Sequence, residues 1–379
     1  MVTETVDTVV IGAGQAGLAV GFHLSLQGRS FVILDENDRV GDSWRRRWDS
    51  LRLFTPARYD ALPGTRFPGS PWSFPTREEF SDYLESYAAE HDLPIRTSTR
   101  VRRLAQNDPG YVVETDAGRL LADNVIVAAG FDRLPRTPVF ASHLDPGIAQ
   151  LHSCDYRNAD RIPDGDVLVV GAGNSGADIA LVLSETHQVH LSGRHPGQIP
   201  FSIERPSSRM FSRVVFAAFT HVLTTSTPMG RRARAQVLSH SGPLIRVKTA
   251  DLDAAGVHRV PRVTGVRDGQ PVLEDGHTLP VASVVWCTGY RPDRSWIDLP
   301  VFGTDDLPVQ KRGVCTSQDG LYFLGELFQY SLASSMIHGV VRDARYVAGH
   351  LDGLGPVRQQ KGSSPDSRPS VLRNRSAGS

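Results

Sequence analysis

Two glycine-rich segments of the same type are the places where this sequence could do chemistry. They are residues 12–17 (GAGQAG) and residues 171–176 (GAGNSG). Each follows a short apolar run and precedes a stretch with apolar residues at helical spacing. In such a strand-to-helix turn, glycines let the backbone approach a pyrophosphate, which lies at the positive end of the helix. Two of these turns in one chain predict two dinucleotides that face each other.

The elements around the first turn predict what it binds. A strand over residues 8–11 leads into it, a helix over 15–26 follows, and Gly28 stops that helix. The next strand, residues 31–34, ends at Asp35, which follows Gly17 by 18 residues. A carboxylate at this position can accept both hydroxyls of an adenosine ribose. Asp35 is the predicted ribose ligand and Glu36 the fallback; the alternative is two acids in a solvated loop.

The second turn lacks the corresponding acid. Its strands are predicted at residues 166–170 and 188–191, with a helix after Gly176. Matching the strands puts Ser192 at the position of Asp35, and counting 18 residues from Gly176 reaches Arg194. Arginine can grip a ribose 2′-phosphate through paired hydrogen bonds, with a hydroxyl donor beside it. The sequence therefore predicts NADPH rather than NADH, with His195 as a further contact; the alternative is a merely exposed arginine.

Composition limits the other function classes. The 379 residues, 40% of them hydrophobic, can form two to three domains, and 41 basic residues balance 41 acidic ones. We therefore expect small-molecule partners and no nucleic acid. The sequence leaves open whether the protein forms a homodimer. Three scattered cysteines predict no disulfide framework, no metal site and a cytoplasmic location. We further expect no signal peptide, no transmembrane segment, and a disordered tail at residues 356–379.

A resemblance adds to these expectations. Residues 39–44 (RVGDSW) and 48–53 (WDSLRL), followed by a proline-rich loop over 56–75, resemble the class B flavin-dependent monooxygenases. The similarity is strongest to plant YUCCA-type enzymes and bacterial CzcO-like flavoproteins. It implies an α/β fold of two Rossmann-type dinucleotide-binding domains, as in disulfide reductases. Residues 1–160 and 285–355 would bind FAD, and residues 161–284 would form an inserted NADPH domain.

The same resemblance supplies further site residues. Residues 287–290 (CTGY) look like the family's linker back into the FAD domain, and residues 320–326 (GLYFLGE) like its last FAD strand, with Glu326 in place of Asp. Residues 331–341 would then start a helix whose N-terminus could stabilise negative charge on the reduced flavin; the alternative is an ordinary packing helix. The predicted cofactor-binding residues are Gly12, Gly14, Gln15, Ala16, Gly17, Asp35, Glu36, Ser43, Trp44, Gly130, Gly171, Gly173, Asn174, Ser175, Gly176, Ser192, Arg194, Thr288, Gly289, Gly325 and Glu326.

Three features depart from the family pattern. Half of its signature between the fingerprints is present, as His152 and Tyr156, and His152 could equally be a structural residue. Phe54 stands where relatives supply a hydrogen-bond donor near the flavin, and Thr55 or Asn174 could substitute. Residues 200–248, with a helix-like apolar cluster and a basic end, are interpreted as a lid or substrate wall, with a membrane-surface helix or plain packing as alternatives.

The predicted function is that of an FAD- and NADPH-dependent oxidoreductase, and a monooxygenase is the favoured activity. The resemblance implies hydride transfer to the flavin and a C4a-(hydro)peroxyflavin that oxygenates a small organic substrate with O₂. The alternatives are a flavin reductase or oxidase, or a flavin-binding regulatory protein. Because the cofactors carry the chemistry, no catalytic side chain is assigned.

Overall fold

A computed structural model describes residues 3–130, 134–239 and 242–354 of the chain. The predicted disordered tail at 356–379 lies outside the described residues. Among the described residues, no helix is long and apolar enough to span a membrane.

The described residues form nineteen strands and eight α-helices. The strands are β1 (Thr3–Ile11), β2 (Phe31–Leu34), β3 (Ile95–Arg96), β4 (Val101–Gln106), β5 (Tyr111–Thr115), β6 (Arg119–Val127), β7 (Leu134–Pro135), β8 (Ala149–His152), β9 (Val167–Val170), β10 (Val189–Ser192), β11 (His258–Val260), β12 (Val263–Arg267), β13 (Gln270–Leu273), β14 (Ser283–Trp286), β15 (Tyr290–Arg291), β16 (Ile297–Asp298), β17 (Gln310–Lys311), β18 (Val314–Cys315) and β19 (Leu321–Phe323). The α-helices are α1 (Gln15–Leu26), α2 (Asp42–Arg45), α3 (Arg77–Glu90), α4 (Asn174–Leu183), α5 (Arg209–His221), α6 (Pro228–Ser239), α7 (Thr249–Ala254) and α8 (Ile337–Leu354). Short 3-10 helices cover Ala57–Tyr59, Val139–His143, Ala159–Arg161, Pro206–Ser208 and Leu332–Ser335.

The first sheet has ten strands, and its main path runs β16-β4-β5-β6-β1-β2-β3. Strand β1 pairs in parallel with both β2 and β6, and β19 joins the other edge of β6, also in parallel. Strands β1 and β2 end in four consecutive buried residues each. Such continuous apolar runs fit strands covered on both faces, as in doubly wound sheets.

The second sheet is wholly parallel, in the order β11-β10-β9-β14-β8. It includes β8, which begins at Ala149 and therefore lies before the predicted domain start at residue 161. The domain bounds stay a prediction. A small antiparallel pair, β7 with β15, joins the two crossovers between the sheets.

A shared apolar core connects the two halves. One cluster of buried side chains contains Val10 and Leu18 of the first half as well as Val169 and Ile179 of the second. Separate clusters cover the far side of each sheet. The two sheets are therefore packed through their facing sides, with the fingerprint turns near the contact.

Most predicted elements around the turns agree with the structure, with one difference near the end. Helix α1 and strand β2 have the predicted bounds. The helix expected from Ser331 begins instead as a 3-10 helix, and α8 starts only at Ile337. The hydroxyl of Ser331 accepts the Ala333 N–H at 3.2 Å, which caps this tighter turn.

Candidate functional site

A single cavity of about 650 Å³ reaches both fingerprint turns. It lies outside the carboxyl ends of β1 and β2, where open α/β sheets bind ligands. The predicted cofactor-binding residues that line it are Gly12, Gly14, Gln15, Ala16, Asp35, Glu36, Ser43, Trp44, Gly130, Asn174, Ser175 and Gly325. The structure thus brings the first turn and the start of α4 together in one space.

The first turn is held by close backbone contacts. Gly12 has a φ of +108°, and a Cβ there would lie 2.5 Å from the Ala128 carbonyl oxygen. A Cβ on Gly17 would lie 1.8 Å from the Gly12 oxygen, so only glycine lets α1 approach β1 this closely. Gly14, by contrast, has nothing within 4 Å of its Cβ position. Its open face lines the cavity, where the uncapped start of α1 offers N–H groups to a phosphate.

The carboxylate of Asp35 is fixed at the end of β2. Its Oδ2 accepts the Ala13 N–H at 2.6 Å, and its Oδ1 accepts the backbone and side-chain N–H groups of Asn37 at 2.8 and 2.7 Å. A carboxylate has about four acceptor positions, so Oδ2 can still accept a ribose hydroxyl. Neighbouring Glu36 lies 3.6 Å from the Arg100 guanidinium.

The second turn repeats the backbone frame of the first. Gly171 has a φ of +114°, and its Cβ would lie 2.2 Å from the Cys287 oxygen. A Cβ on Gly176 would lie 1.7 Å from the Gly171 oxygen. Helix α4 starts after Gly173, which gives it no side-chain cap, as Gly14 gives none to α1. Four predicted glycines do not line the cavity: Gly17, Gly171, Gly173 and Gly176. Gly17 and Gly176 pack helix against strand, and Gly171 packs against Cys287, which follows β14.

The strand that follows the second turn corrects one prediction. In the first sheet Ile11 pairs with Leu34, and in the second Val170 pairs with Ser192. Ser192 is therefore the counterpart of Leu34, and Gly193 is the counterpart of Asp35. The alignment of Ser192 with Asp35 was wrong by one residue, because β10 continues through Ser192.

Ser192 is buried and forms hydrogen bonds within the protein. Its side chain is buried, and its hydroxyl donates to the Pro261 oxygen at 2.9 Å and accepts the Val263 N–H at 3.0 Å. Arg194 lies on the surface two residues later. His195 Nε2 lies 2.9 Å from the Thr249 hydroxyl. Within this predicted turn, the exposed side chains are those of Arg194 and His195.

A second arginine beside this turn was missed by the sequence analysis. Arg259, on neighbouring β11, donates to the Gly193 oxygen at 3.2 Å and is partly buried. Burial lowers the pKa of its guanidinium. Arg259 lies 65 residues after Arg194 in the chain, and only the pairing of β10 with β11 brings it to the turn.

A buried polar network at the cavity wall also had no signal in the sequence. Asp178 of α4 accepts the Trp48 indole N–H at 2.7 Å and an N–H of Arg246 at 3.0 Å. Burial raises the pKa of Asp178, while Arg246 and the Trp48 hydrogen bond counteract that shift. All three residues line the cavity. The network joins the loop after α2 to α4 and holds a guanidinium at the wall.

The linker residues predicted from the family do not line the cavity and form hydrogen bonds within the protein. Thr288 donates to the Arg136 oxygen, and the Gly289 oxygen lies 3.1 Å from His152 Nε2. His152 is buried, and its Nδ1 accepts the Cys154 N–H at 3.3 Å. Its ring packs edge-on against Tyr290 at 5.0 Å. This environment favours the structural interpretation of His152.

Glu326 forms an ion pair within the protein. Its carboxylate lies 3.1 Å from Arg294, and both side chains are largely buried. Burial raises the pKa of Glu326, and Arg294 opposes the rise. Glu326 does not line the cavity, whereas the adjacent Gly325 does.

The donors proposed to replace Phe54 are engaged elsewhere. Phe54 lines the cavity, but buried Thr55 donates to Asp60. The Asn174 amide donates to the Pro243 oxygen at 3.0 Å and accepts the Ile245 N–H at 2.9 Å. Thr55 is therefore occupied, whereas the Asn174 amide keeps a second N–H. Arg246, on the loop that Asn174 anchors, also lines the cavity.

The residues present fit two dinucleotides. Gly14 leaves an open cradle at a helix N-terminus, Asp35 offers a fixed ribose acceptor, and the start of α4 lines the same cavity. Within the described ranges, no group of three or more His, Cys, Asp or Glu residues could hold a metal ion.

Comparison with known proteins agrees with this geometry. Residues 9–251 match the family model described as pyridine nucleotide-disulphide oxidoreductase. An uncharacterized CzcO-like oxidoreductase of Geobacillus kaustophilus is 38% identical over 348 residues, which cover 91% of this chain and 98% of that protein.

Two further relatives carry a named activity. A probable indole-3-pyruvate monooxygenase of Arabidopsis thaliana is 28% identical over 378 residues, covering 88% of this chain and 86% of that protein. A variant of the flavin monooxygenase from Stenotrophomonas maltophilia superposes with a TM-score of 0.77 at 27% identity, covering 93% and 99% of the two chains. The predicted fold of two dinucleotide-binding domains is confirmed by this similarity.

Proposed function

The chain belongs to the pyridine nucleotide-disulphide oxidoreductase family, among its flavin-dependent monooxygenases, and on that premise we propose that it oxygenates a small organic substrate with FAD, NADPH and O₂. The observation that carries the proposal is the single cavity shared by the Gly14 turn and the start of α4. Hydride transfer requires the two nucleotides to meet, and a shared cavity provides the place. The alternative of a flavin-binding regulatory protein does not require the two nucleotides to lie in one cavity.

The cofactors, when bound, supply hydride transfer and the activation of oxygen. The chain holds them in this proposal with two different sets of residues. Asp35 and the start of α1 would bind the adenosine and pyrophosphate of FAD. The start of α4 and Arg194, with Arg259 beside it, would bind NADPH.

The remaining wall residues exclude water and orient the reactants. Trp44, Leu51 and Val340 give the cavity an apolar lining, which strengthens electrostatic interactions inside it. Arg246 is held in one orientation by Asp178. A fixed cation at the wall can align a polar group of a nucleotide or of the substrate.

Anaerobic mixing of the flavin-loaded protein with NADPH tests the first half of the proposal. We expect loss of the oxidised-flavin absorbance, and slower loss with NADH at the same concentration. A flavin that stays oxidised would rule out the enzyme interpretation.

Oxygen-18 labelling tests the second half. Reduced protein is exposed to ¹⁸O₂ with indole-3-pyruvate, a thioether or a tertiary amine, and the products are analysed by mass spectrometry. Label in one product supports a monooxygenase. Release of one H₂O₂ per NADPH in every case would favour the oxidase alternative.

Location and assembly stay part of the proposal. Three cysteines that form no disulfide, Cys154, Cys287 and Cys315, support a reducing compartment such as the cytoplasm. The homodimer remains a prediction.

A further inference from the structure

The outward side of helix α5 is apolar. Met210, Val214 and Ala217 follow one another at helical spacing and are exposed, Met210 at 71% and Val214 at 61% of their full areas. Phe211 adds to this surface with 53% exposure. We name these four residues the outer face of α5. An exposed cluster of large apolar side chains on one helix usually marks an interaction surface.

The opposite side of α5 fixes the direction of this face. Ser212 and Phe216 are buried, and the Phe216 ring lies 4.4 Å from that of Tyr59 and 5.4 Å from that of His338. Because both of these neighbours belong to the body of the protein, α5 is anchored through its inner side. Its outer face therefore points away from the protein.

The segment that carries α5 is strongly basic. Residues 205–250 contain no aspartate or glutamate, but they contain seven arginines and one lysine: Arg205, Arg209, Arg213, Arg231, Arg232, Arg234, Arg246 and Lys248. The charge of the whole chain is balanced, so this segment is an exception within the molecule.

Three arginines lie close together near the N-terminus of α5. The guanidinium groups of Arg58, Arg209 and Arg213 lie 4.9, 5.5 and 5.8 Å from the ring centre of Trp72. All three arginines are exposed, and Arg58 comes from a different part of the chain. The face of the Trp72 ring thus gathers three guanidinium groups at one place on the surface.

A basic groove lies at the other end of α5. It is lined by Arg312, Arg342, Arg345 and His350, together with Tyr346. Arg342 donates to the Thr220 oxygen in the last turn of α5, at 2.5 Å, which connects the groove to the helix. The Arg312 guanidinium lies 4.0 and 3.9 Å from the ring centres of Tyr330 and Tyr346.

From this arrangement we infer that the outer face of α5, bordered by arginines at both ends, docks on an anionic lipid bilayer. An interfacial helix inserts apolar side chains at the level of the headgroups while basic residues beside it contact lipid phosphates. The charge of the surface is complementary to anionic lipid, and its apolar side chains protrude instead of forming a groove for a peptide. The described helices cannot span a bilayer, so the contact would be peripheral.

The inner side of α5 faces the body of the protein that holds the proposed active site. Phe216 packs on His338 of α8, and Val340 of the same helix lines the cavity. The outer face lies on the opposite side of α5. The inference does not rest on the oxygenation chemistry, and its test does not measure turnover.

Vesicle sedimentation tests the inference with the flavin-loaded full chain. Vesicles of phosphatidylcholine alone are compared with vesicles that contain about 30% phosphatidylglycerol. We expect binding to the anionic vesicles only, and weaker binding when the salt concentration is raised.

Two variants test the two parts of the surface. Met210→Asp combined with Val214→Asp removes the apolar contact, and Arg209→Glu combined with Arg213→Glu reverses the charge. Each is expected to lower the fraction of bound protein by about ten-fold or more. The matched controls are Val139→Asp, at a side chain with 90% exposure, and Arg267→Glu, also exposed; both should bind as the unchanged protein does. Flavin content and melting temperature check that every variant is folded.

Three outcomes would overturn the inference. The first is equal binding to neutral and anionic vesicles, and the second is binding by both double variants at the level of the unchanged protein. The third is a dimer in solution that Met210→Asp with Val214→Asp converts to a monomer, without any vesicle binding by the unchanged protein. That result would assign the outer face to self-association.

Discussion

The two fingerprint turns have the same backbone frame but different surroundings. In both, the last glycine lets its helix pack against the first glycine. A Cβ on Gly17 would lie 1.8 Å from the Gly12 oxygen, and a Cβ on Gly176 would lie 1.7 Å from the Gly171 oxygen. In the first turn, the Ala13 N–H donates to Asp35. In the second, the equivalent Ala172 nitrogen faces Gly193, where a Cβ would lie only 2.9 Å away.

This difference separates two functions of the motif. The glycines let strand and helix approach each other, which any dinucleotide-binding turn requires. The residue at the end of the next strand decides the electrostatics, and there one site has a carboxylate while the other has a glycine followed by Arg194. A carboxylate would repel a 2′-phosphate, and its absence leaves room for one.

The largest effect is expected where the two turns are alike. Gly17→Ala and Gly176→Ala each force a methyl group into a backbone oxygen, so each should lower the free energy of unfolding by about 3 kcal/mol. Denaturant titration measures this loss. Gly14→Ala is the matched control, because its Cβ position is open; its stability should stay within about 0.5 kcal/mol while flavin binding falls. Equal stability of all three variants would contradict the shared frame.

The next effect distinguishes the first turn from the second. Asp35→Asn removes a charged acceptor and should weaken FAD binding by about 10- to 100-fold, with little change in NADPH binding. The ratio of flavin absorbance to protein after dialysis gives the result. Glu36→Gln serves as the control and should retain its flavin. If the two variants lose flavin equally, the role assigned to Asp35 is wrong.

A smaller effect is expected at the exposed arginine of the second turn. Arg194→Ala should weaken NADPH binding by about ten-fold and leave NADH binding unchanged, because only NADPH carries the 2′-phosphate. Binding constants for both nucleotides are measured, with Arg267→Ala as an exposed control. Should NADPH selectivity instead disappear in Arg259→Ala alone, the phosphate contact belongs to Arg259.

The smallest effect concerns Ser192. Ser192→Ala removes a buried hydroxyl with two hydrogen bonds, so it should lower the free energy of unfolding by about 1 kcal/mol. The preference for NADPH over NADH should not change. A loss of that preference without a loss of stability would restore Ser192 as a nucleotide ligand.

Local patterns predicted the frame of the site well. The apolar runs and glycines located β1, α1, β2 and α4, because these elements depend on residues close together in the chain. The same patterns failed by one residue at Ser192, since an apolar run does not show where a strand ends. They also gave no warning that Glu326 pairs with Arg294 or that Thr55 is engaged by Asp60.

By itself, the sequence determined the two nucleotide-binding turns, the unequal residues after them and the family. Only the tertiary structure decided that both turns open into one cavity, that Trp48, Asp178 and Arg246 meet at its wall, and that Arg259 lies beside Gly193. The basic segment was visible in the sequence, but its outward apolar face was not. The physical reason is that a turn is specified by neighbouring residues, whereas a wall, a partner and an exposed face depend on contacts between residues far apart in the chain.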